Sequence, residues 1–160
     1  NNADFYQKRG WRKRDLGDDQ GAIDNYTKAI EIDPNNADFY LDRGWLKRDL
    51  GDDQGAIDNY TKALEIDPMY GVYVDRARAK TSLGDYQGAI DDYSKALEID
   101  PERIDAYVGR ALIKRELKDY QGAVEDFTKG KEINPVAYEI HREYLAKYKL
   151  MKNAMHKPLY

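Results

Sequence analysis

Cysteine is absent from this sequence, which excludes disulfide bonds, thiolate chemistry and zinc sites built on cysteine. Histidine is scarce, since His141 and His156 are the only two and both lie near the C-terminus. No Ser–His–Asp or Cys–His arrangement can be assembled around them. We therefore expect no enzymatic activity, no catalytic residue, no metal site and no cofactor.

Long apolar runs are also missing, because no stretch approaches the roughly 20 residues that a membrane-spanning helix needs. No secretory signal is visible at the N-terminus, where the chain starts at Asn1 within its repeating pattern. These two features favour the cytoplasm without fixing the compartment. The net charge of −4 attracts neither nucleic acid nor anionic lipid. We expect neither as a partner.

Proline is infrequent, yet four of the five prolines are evenly spaced, at Pro34, Pro68, Pro101 and Pro135. The spacing divides the chain into four units, which span residues 1–34, 35–68, 69–101 and 102–135. The first two units differ at only four positions, which are Gln7/Leu41, Lys8/Asp42, Arg12/Leu46 and Ile30/Leu64. A unit of this length, repeated with so little change, indicates a structural repeat.

Each unit is predicted to form two helices. In the second helix, Ala22, Ile23, Tyr26, Ala29 and Ile30 recur on one helical face. The first helices are predicted to span residues 3–16, 37–50, 70–83 and 104–117. A glycine in left-handed conformation is expected to end three of them, at Gly17, Gly51 and Gly84. Aspartates are expected to cap the second helices, at Asp18, Asp52, Asp85 and Asp119.

These features resemble the tetratricopeptide repeat family. The matching residues are the aromatic and small positions of the first helix, Tyr6/Gly10, Tyr40/Gly44, Tyr73/Ala77 and Tyr107/Ala111, followed by the Ala-x-x-x-aromatic pair and the closing proline. The resemblance implies an all-α, right-handed superhelical solenoid of four helix-turn-helix repeats in one domain, residues 1–160. An amphipathic stretch over 136–157 is predicted to form a C-terminal capping helix.

Arginine stands where the family pattern expects leucine, at Arg9, Arg43, Arg76 and Arg110. Such residues can line a phosphate site, but their recurrence in every unit favours a structural role. Acidic or amide residues recur opposite them in the second helix, at 24–25, 58–59, 91–92 and 125–126. A partly buried guanidinium needs partners of this kind.

Two other patterns have alternative interpretations. The aspartates around residues 15–19 suggest calcium, but their spacing does not fit an EF-hand loop, and helix capping explains them better. The 14 tyrosines suggest stacking on nucleic acid, but most fall at repeat-fixed positions that the period assigns to the core.

The resemblance implies that the first helices line a concave groove that binds a protein or peptide. Carried onto this sequence, the groove positions are Gln7, Trp11, Arg14, Leu41, Trp45, Arg48, Val74, Arg78, Val108, Leu112 and Arg115. The two tryptophans hold equivalent places in successive units. They are expected either to contact a ligand or to pack against the neighbouring repeat, and ligand contact is slightly favoured.

A chaperone-type carboxylate clamp is not expected. The resemblance would require lysine and asparagine at 7 and 11, asparagine at 42, and lysine and arginine at 71 and 75, where this chain has Gln7, Trp11, Asp42, Gly71 and Asp75. The chain is thus predicted to be a protein-interaction scaffold. The alternative is a self-assembling or engineered repeat module whose near-identical units stack head to tail between chains, giving a homo-oligomer through its terminal repeats.

Overall fold

A computed structural model describes residues 2–136 and 139 of the chain, and this part contains eight α-helices and no strand. In chain order they are α1 (Asn2–Asp15), α2 (Asp19–Ile32), α3 (Ala37–Asp49), α4 (Asp53–Ile66), α5 (Tyr70–Ser82), α6 (Tyr86–Ile99), α7 (Ile104–Glu116) and α8 (Tyr120–Ile133). Each odd-numbered helix packs against the next to form a hairpin. The predicted all-α helical-repeat fold is confirmed, and the predicted first helices agree with the observed ones to within one residue.

The helices fall into two compact units. Residues 1–100 form the first, which contains the three hairpins from α1 to α6, and residues 101–160 form the second, which contains α7 and α8. The predicted capping helix over 136–157 lies, apart from Val136 and Glu139, outside the described residues.

The turn inside each hairpin follows from two residues. Gly17 has a φ of 76°, a left-handed conformation that glycine adopts without steric cost, whereas Lys118 at the equivalent place has a φ of 66°. The next helix then starts at an aspartate, and the Asp18 carboxylate accepts the backbone N–H of Gly21 at 3.0 Å. The same cap, confirmed as predicted, recurs at Asp52, Asp85 and Asp119.

Small residues let the two helices of a hairpin approach closely. Tyr26 and Tyr60 are fully buried, and their rings lie against Gly10 and Gly44. A Cβ atom on Gly10 would lie 2.5 Å from Cε1 of Tyr26, which no real contact allows. The small position of the first helix is therefore required by the aromatic position of the second.

The recurring arginine joins one hairpin to the next within the first unit. Arg43 donates from Nε to Oδ1 of Asn59 at 2.8 Å, inside its own hairpin, and from Nη1 to Oγ1 of Thr27 at 3.0 Å, in the preceding one. Arg76 bonds both carboxylate oxygens of Asp92, at 2.6 and 2.9 Å, and Thr61 at 3.0 Å. The structural interpretation is confirmed for Arg43, Arg76 and Arg110, whereas Arg9 makes no such bond within the described residues.

The residue at this acceptor position is asparagine in the first two hairpins and aspartate in the next two, and the bonding of a nearby lysine changes with it. Lys80 forms an ion pair with Asp92 at 2.8 Å, so this buried carboxylate is shared by two cations. In the second unit, Arg110 and Lys114 pair with Asp126 in the same way. Where the acceptor is asparagine, the lysines bond the capping aspartates instead, as Lys13–Asp18 and Lys47–Asp52.

We predict that Asp92→Ala lowers the free energy of unfolding by about 3–5 kcal/mol, because it leaves the Arg76 guanidinium and the Lys80 ammonium half-buried without an anion. Asp92→Asn should lose less, because Asn59 already serves Arg43 through an amide oxygen. Urea unfolding followed by circular dichroism measures both. Asp91→Ala is the control, since Asp91 is exposed and accepts only from Gln87. Equal losses for Asp91→Ala and Asp92→Ala would contradict this account.

Candidate functional site

The first-helix face is the surface of α1, α3 and α5 in the first unit around Trp11, Trp45 and Arg78. Trp11 is 38% exposed and Trp45 is 36% exposed, values that are high for so large an aromatic residue. The Arg78 side chain is 54% exposed. The face thus presents two aromatic surfaces and one cation from three successive hairpins.

Both tryptophans are tied to the following hairpin through their indole N–H groups. Trp11 Nε1 donates to Oδ2 of Asp42 at 2.8 Å, and Trp45 Nε1 donates to Oδ2 of Asp75 at the same distance. Gln7 Nε2 adds a second bond to the Asp42 oxygen, at 2.7 Å. Each tryptophan therefore contacts the neighbouring repeat through its N–H while part of its ring stays exposed.

The two aspartates differ in their electrostatic surroundings. Asp42 is buried, accepts only the neutral donors Gln7 and Trp11, and has no cation within ion-pair distance among the described residues. Burial raises the pKa of the Asp42 carboxyl above its usual value, although the two hydrogen bonds partly offset the rise. Asp75 is instead paired with Arg48 at 3.0 Å and Arg78 at 3.4 Å.

The arginines of the face are accompanied by acidic side chains. Arg48 is bound to Asp75, and Arg14 lies 3.8 Å from Asp15. Arg78 has the most exposed side chain of these three arginines. Its ion pair with Asp75 is longer than the ion pair that Arg48 makes with the same carboxylate. Arg78 is therefore the cation best placed to meet a carboxylate from outside.

Other predicted groove residues lie elsewhere. Leu41 and Val74 are buried in the core of the first unit, at 5% and 3% exposure, and Gln7 is half-buried at the Asp42 carboxylate. In the second unit, Val108 is buried, whereas Leu112 and Arg115 are half-buried on α7. The exposed part of the predicted set is thus Trp11, Arg14, Trp45 and Arg78.

The acceptors of the two indoles were missed by sequence reasoning, which noted Asp42 and Asp75 only as residues that do not fit a clamp. A signal for them exists in the repeat. The aspartate occurs in the second and third units, each of which follows a unit with tryptophan, whereas the fourth unit follows Arg78 and has Gly109 there. Pairing between positions of successive repeats would have identified the bond.

Two buried hydroxyls lie at the inner side of the hairpins. Those of Tyr26 and Tyr60 have no hydrogen-bond partner among the described residues. Burial raises the pKa of Tyr26 to about 12, with a further contribution from the nearby negative charge of Asp42. Both side chains are therefore neutral phenols at physiological pH.

The part of the chain that comprises residues 2–136 and 139 holds no group of three or more histidine, aspartate or glutamate side chains close enough together to bind a metal ion. None of its helices combines the length and the apolar character that crossing a membrane requires.

The chain matches two family profiles. One, described as "TPR repeat", covers residues 10–47 and 77–114, and the other, described as "Tetratricopeptide repeat", covers residues 37–68 and 104–136. No curated protein sequence matches the chain.

Solved structures with the same architecture are numerous. MamA protein is 27% identical with a TM-score of 0.78, and the match covers 99% of this chain and 97% of that one. A tetratricopeptide repeat protein from Parabacteroides merdae is 28% identical with a TM-score of 0.78, covering 83% of this chain and 54% of that one. The first TPR of Spaghetti (RPAP3), bound to the HSP90 peptide SRMEEVD, is 25% identical with a TM-score of 0.67, covering 72% and 93%.

We predict that the stability of the Asp42→Asn variant, relative to that of the wild type, increases as the pH rises. Because the pKa of Asp42 is raised in the folded state, the free energy of unfolding falls as pH rises from about 4 through that raised value. The variant keeps an amide oxygen for Trp11 and Gln7 but cannot ionise. Relative to the wild type it should therefore gain stability between pH 4 and pH 7, as measured by urea unfolding at several pH values.

Asp52→Asn is the control of opposite sign. A hydrogen bond from Lys47 and one from the Gly55 backbone lower the pKa of Asp52, so its contribution is present above pH ~4 and is lost as pH falls. The Asp52 variant should therefore be less stable than the wild type at pH 7 and approach it in acid. If the Asp42 variant behaved like the Asp52 variant, the account of the Asp42 site would be wrong.

Proposed function

Because this chain belongs to the tetratricopeptide repeat family, we propose that it acts as a protein-interaction scaffold that binds a peptide or protein segment on its first-helix face. Support comes from the architecture it shares with solved tetratricopeptide structures, one of which holds a bound peptide. Binding rather than catalysis also agrees with the scarcity of histidine and the absence of cysteine in the sequence.

The observation that carries this proposal is the pair of half-exposed tryptophans at equivalent places in successive hairpins. Their N–H groups are held by Asp42 and Asp75, so the rings are oriented before any ligand arrives. Pre-oriented aromatic side chains lose little conformational freedom on binding, and tryptophan is among the residues most enriched at binding hot spots. The indoles can therefore serve as anchors.

The charges around the anchors suggest the chemistry of the ligand. Arg78 can pair with a ligand carboxylate, while the exposed Asp15 and Asp49 can accept from ligand donors. An extended or helical segment with apolar anchors and mixed charge fits this pattern, with an affinity of about micromolar, roughly 8 kcal/mol. Leu112 and Arg115 hold the corresponding positions of the fourth repeat, on α7.

We predict that the double substitution Trp45→Ala/Arg78→Ala abolishes ligand binding while helical circular dichroism is retained, because neither side chain is buried. A displayed peptide library selected against the wild-type chain supplies the ligands, and fluorescence anisotropy then measures their affinities for both proteins. The selected peptides should show no saturable binding to the variant.

The matched control is Asp58→Ala/Lys62→Ala on α4, which removes two exposed side chains from a second helix. It should bind the selected peptides as the wild type does. If the Trp45/Arg78 variant kept wild-type affinity, or if the α4 variant lost as much, the first-helix face would not be the binding site.

We also propose that the chain lacks a carboxylate clamp. At the positions where such a clamp needs asparagine and arginine, it has the acceptors Asp42 and Asp75, whose oxygens already bind side-chain N–H groups of this chain. Two carboxylates at these places repel a carboxylate ligand rather than hold it.

Accordingly, the peptide SRMEEVD, which occupies the similar RPAP3 structure, should show no saturable binding to this chain in a fluorescence titration. That RPAP3 domain, run in parallel, controls for the peptide and the assay. Saturable binding that Arg78→Ala weakens would show that the face accepts acidic C-termini after all.

A further inference from the structure

The N-terminal edge of the first unit is the outer side of α1, where Phe5, Lys8, Arg9 and Arg12 line a cavity of about 400 Å³. Phe5 is 58% exposed. Within the part of the chain that the structure describes, none of the three cations has a hydrogen-bond or ion-pair partner. An exposed aromatic ring and three uncompensated positive charges therefore share one surface on a chain whose net charge is −4.

The second repeat shows how the same edge is filled when a hairpin precedes it. Phe39, the equivalent of Phe5, is fully buried against Ala3 and Ala29 of the first hairpin. Arg43, the equivalent of Arg9, donates to Thr27 of that hairpin at 3.0 Å. The two residues that dock one hairpin onto another are thus present at the N-terminal edge, where no hairpin among the described residues covers them.

Two of the four differences between the first and second repeats fall on this edge. Asp42, which accepts from Gln7 and Trp11 of the preceding hairpin, is replaced by Lys8, and Leu46, which packs against Ala22 and Tyr26, is replaced by Arg12. Asp to Lys adds two positive charges and Leu to Arg adds one, so the edge gains three relative to its internal copy.

A hairpin like the first one satisfies this edge poorly. It would bring the indole of its Trp11 position, which only donates, to the Lys8 ammonium, which also donates, and the neutral amide oxygen of its Gln7 position would be the one acceptor of the pair. Carboxylates at those positions would accept from Lys8 and compensate its charge. A purely solvating edge would account for Lys8 and Arg12 but not for the retained Phe5, which is left exposed.

We propose that the N-terminal edge binds a partner hairpin that has the form of this chain's own repeats but carries carboxylates where the first repeat has Gln7 and Trp11. Phe5 and Arg9 supply the contacts that Phe39 and Arg43 make internally, and Lys8 and Arg12 select the acidic partner. This interaction is independent of the proposed function, since it uses the outer side of α1 rather than the first-helix face.

In the experiment that tests this proposal, the partner hairpin is added to the chain itself. A copy of residues 1–34 is fused directly before Asn1, so that the 34-residue period continues. One version is unchanged, and the other carries Gln7→Glu and Trp11→Glu in the added copy alone. The readout is the effect of Phe5→Ala on the urea midpoint, because Phe5 becomes buried only if the added hairpin docks.

In the chain without the added copy, Phe5→Ala should barely move the midpoint. In the chain with the acidic copy, Phe5→Ala should lower the urea midpoint about as much as Phe39→Ala does. In the chain with the unchanged copy, Phe5→Ala should lower the midpoint much less. The advantage of the acidic copy should shrink in about 1 M salt, where charges are screened beyond about 3 Å. That pattern supports the proposal.

Lys8→Asp/Arg12→Leu in the original chain is the positive control, because it reproduces the Asp42 and Leu46 edge, onto which the unchanged copy should dock. The proposal is overturned if the unchanged copy docks onto this control while Phe5→Ala does not lower the urea midpoint of the chain with the acidic copy. Equal docking of both copies would overturn the charge requirement. A dimer of the unextended chain that Phe5→Ala dissociates, seen by light scattering, would identify a second copy as the occupant and overturn the acidic partner.

Discussion

The hydrogen bonds of the arginine in the middle of α3 and of α5 are the interaction on which the three-hairpin unit depends. A guanidinium has several donors in one plane, so Arg43 can bond Asn59 in its own hairpin and Thr27 in the preceding one at the same time. Arg76 repeats the arrangement with Asp92 and Thr61. Because a side chain this long is only half-buried, its desolvation is limited while its hydrogen bonds are retained.

A second link between hairpins lies on the face that we assign to ligand binding. The Trp11–Asp42 and Trp45–Asp75 bonds orient the indoles and simultaneously hold neighbouring first helices together. Stability and recognition therefore share the same side chains there. Substituting a tryptophan therefore affects both stability and recognition. An anchor differs from a core residue in the exposure of its ring, since both kinds of residue can make an internal hydrogen bond.

Much of the fold was predictable because it is local. Helix boundaries follow from glycines that adopt positive φ and aspartates that cap, and both effects act within a few residues. The structural role of the arginines was predictable because they recur in every unit.

The sequence by itself determined the repeat, the helices, their caps and the class of surface that the first helices offer, because each depends on short-range geometry repeated at a constant period. Only the tertiary structure decided which of the groove positions are exposed. Leu41 and Val74 face the core, whereas Trp11 and Trp45 stay half-exposed with their N–H groups bonded to the next hairpin. That distinction depends on how one hairpin rotates against the next, and this rotation is set by packing between residues some 30 positions apart, which the periodicity of a single helix does not encode.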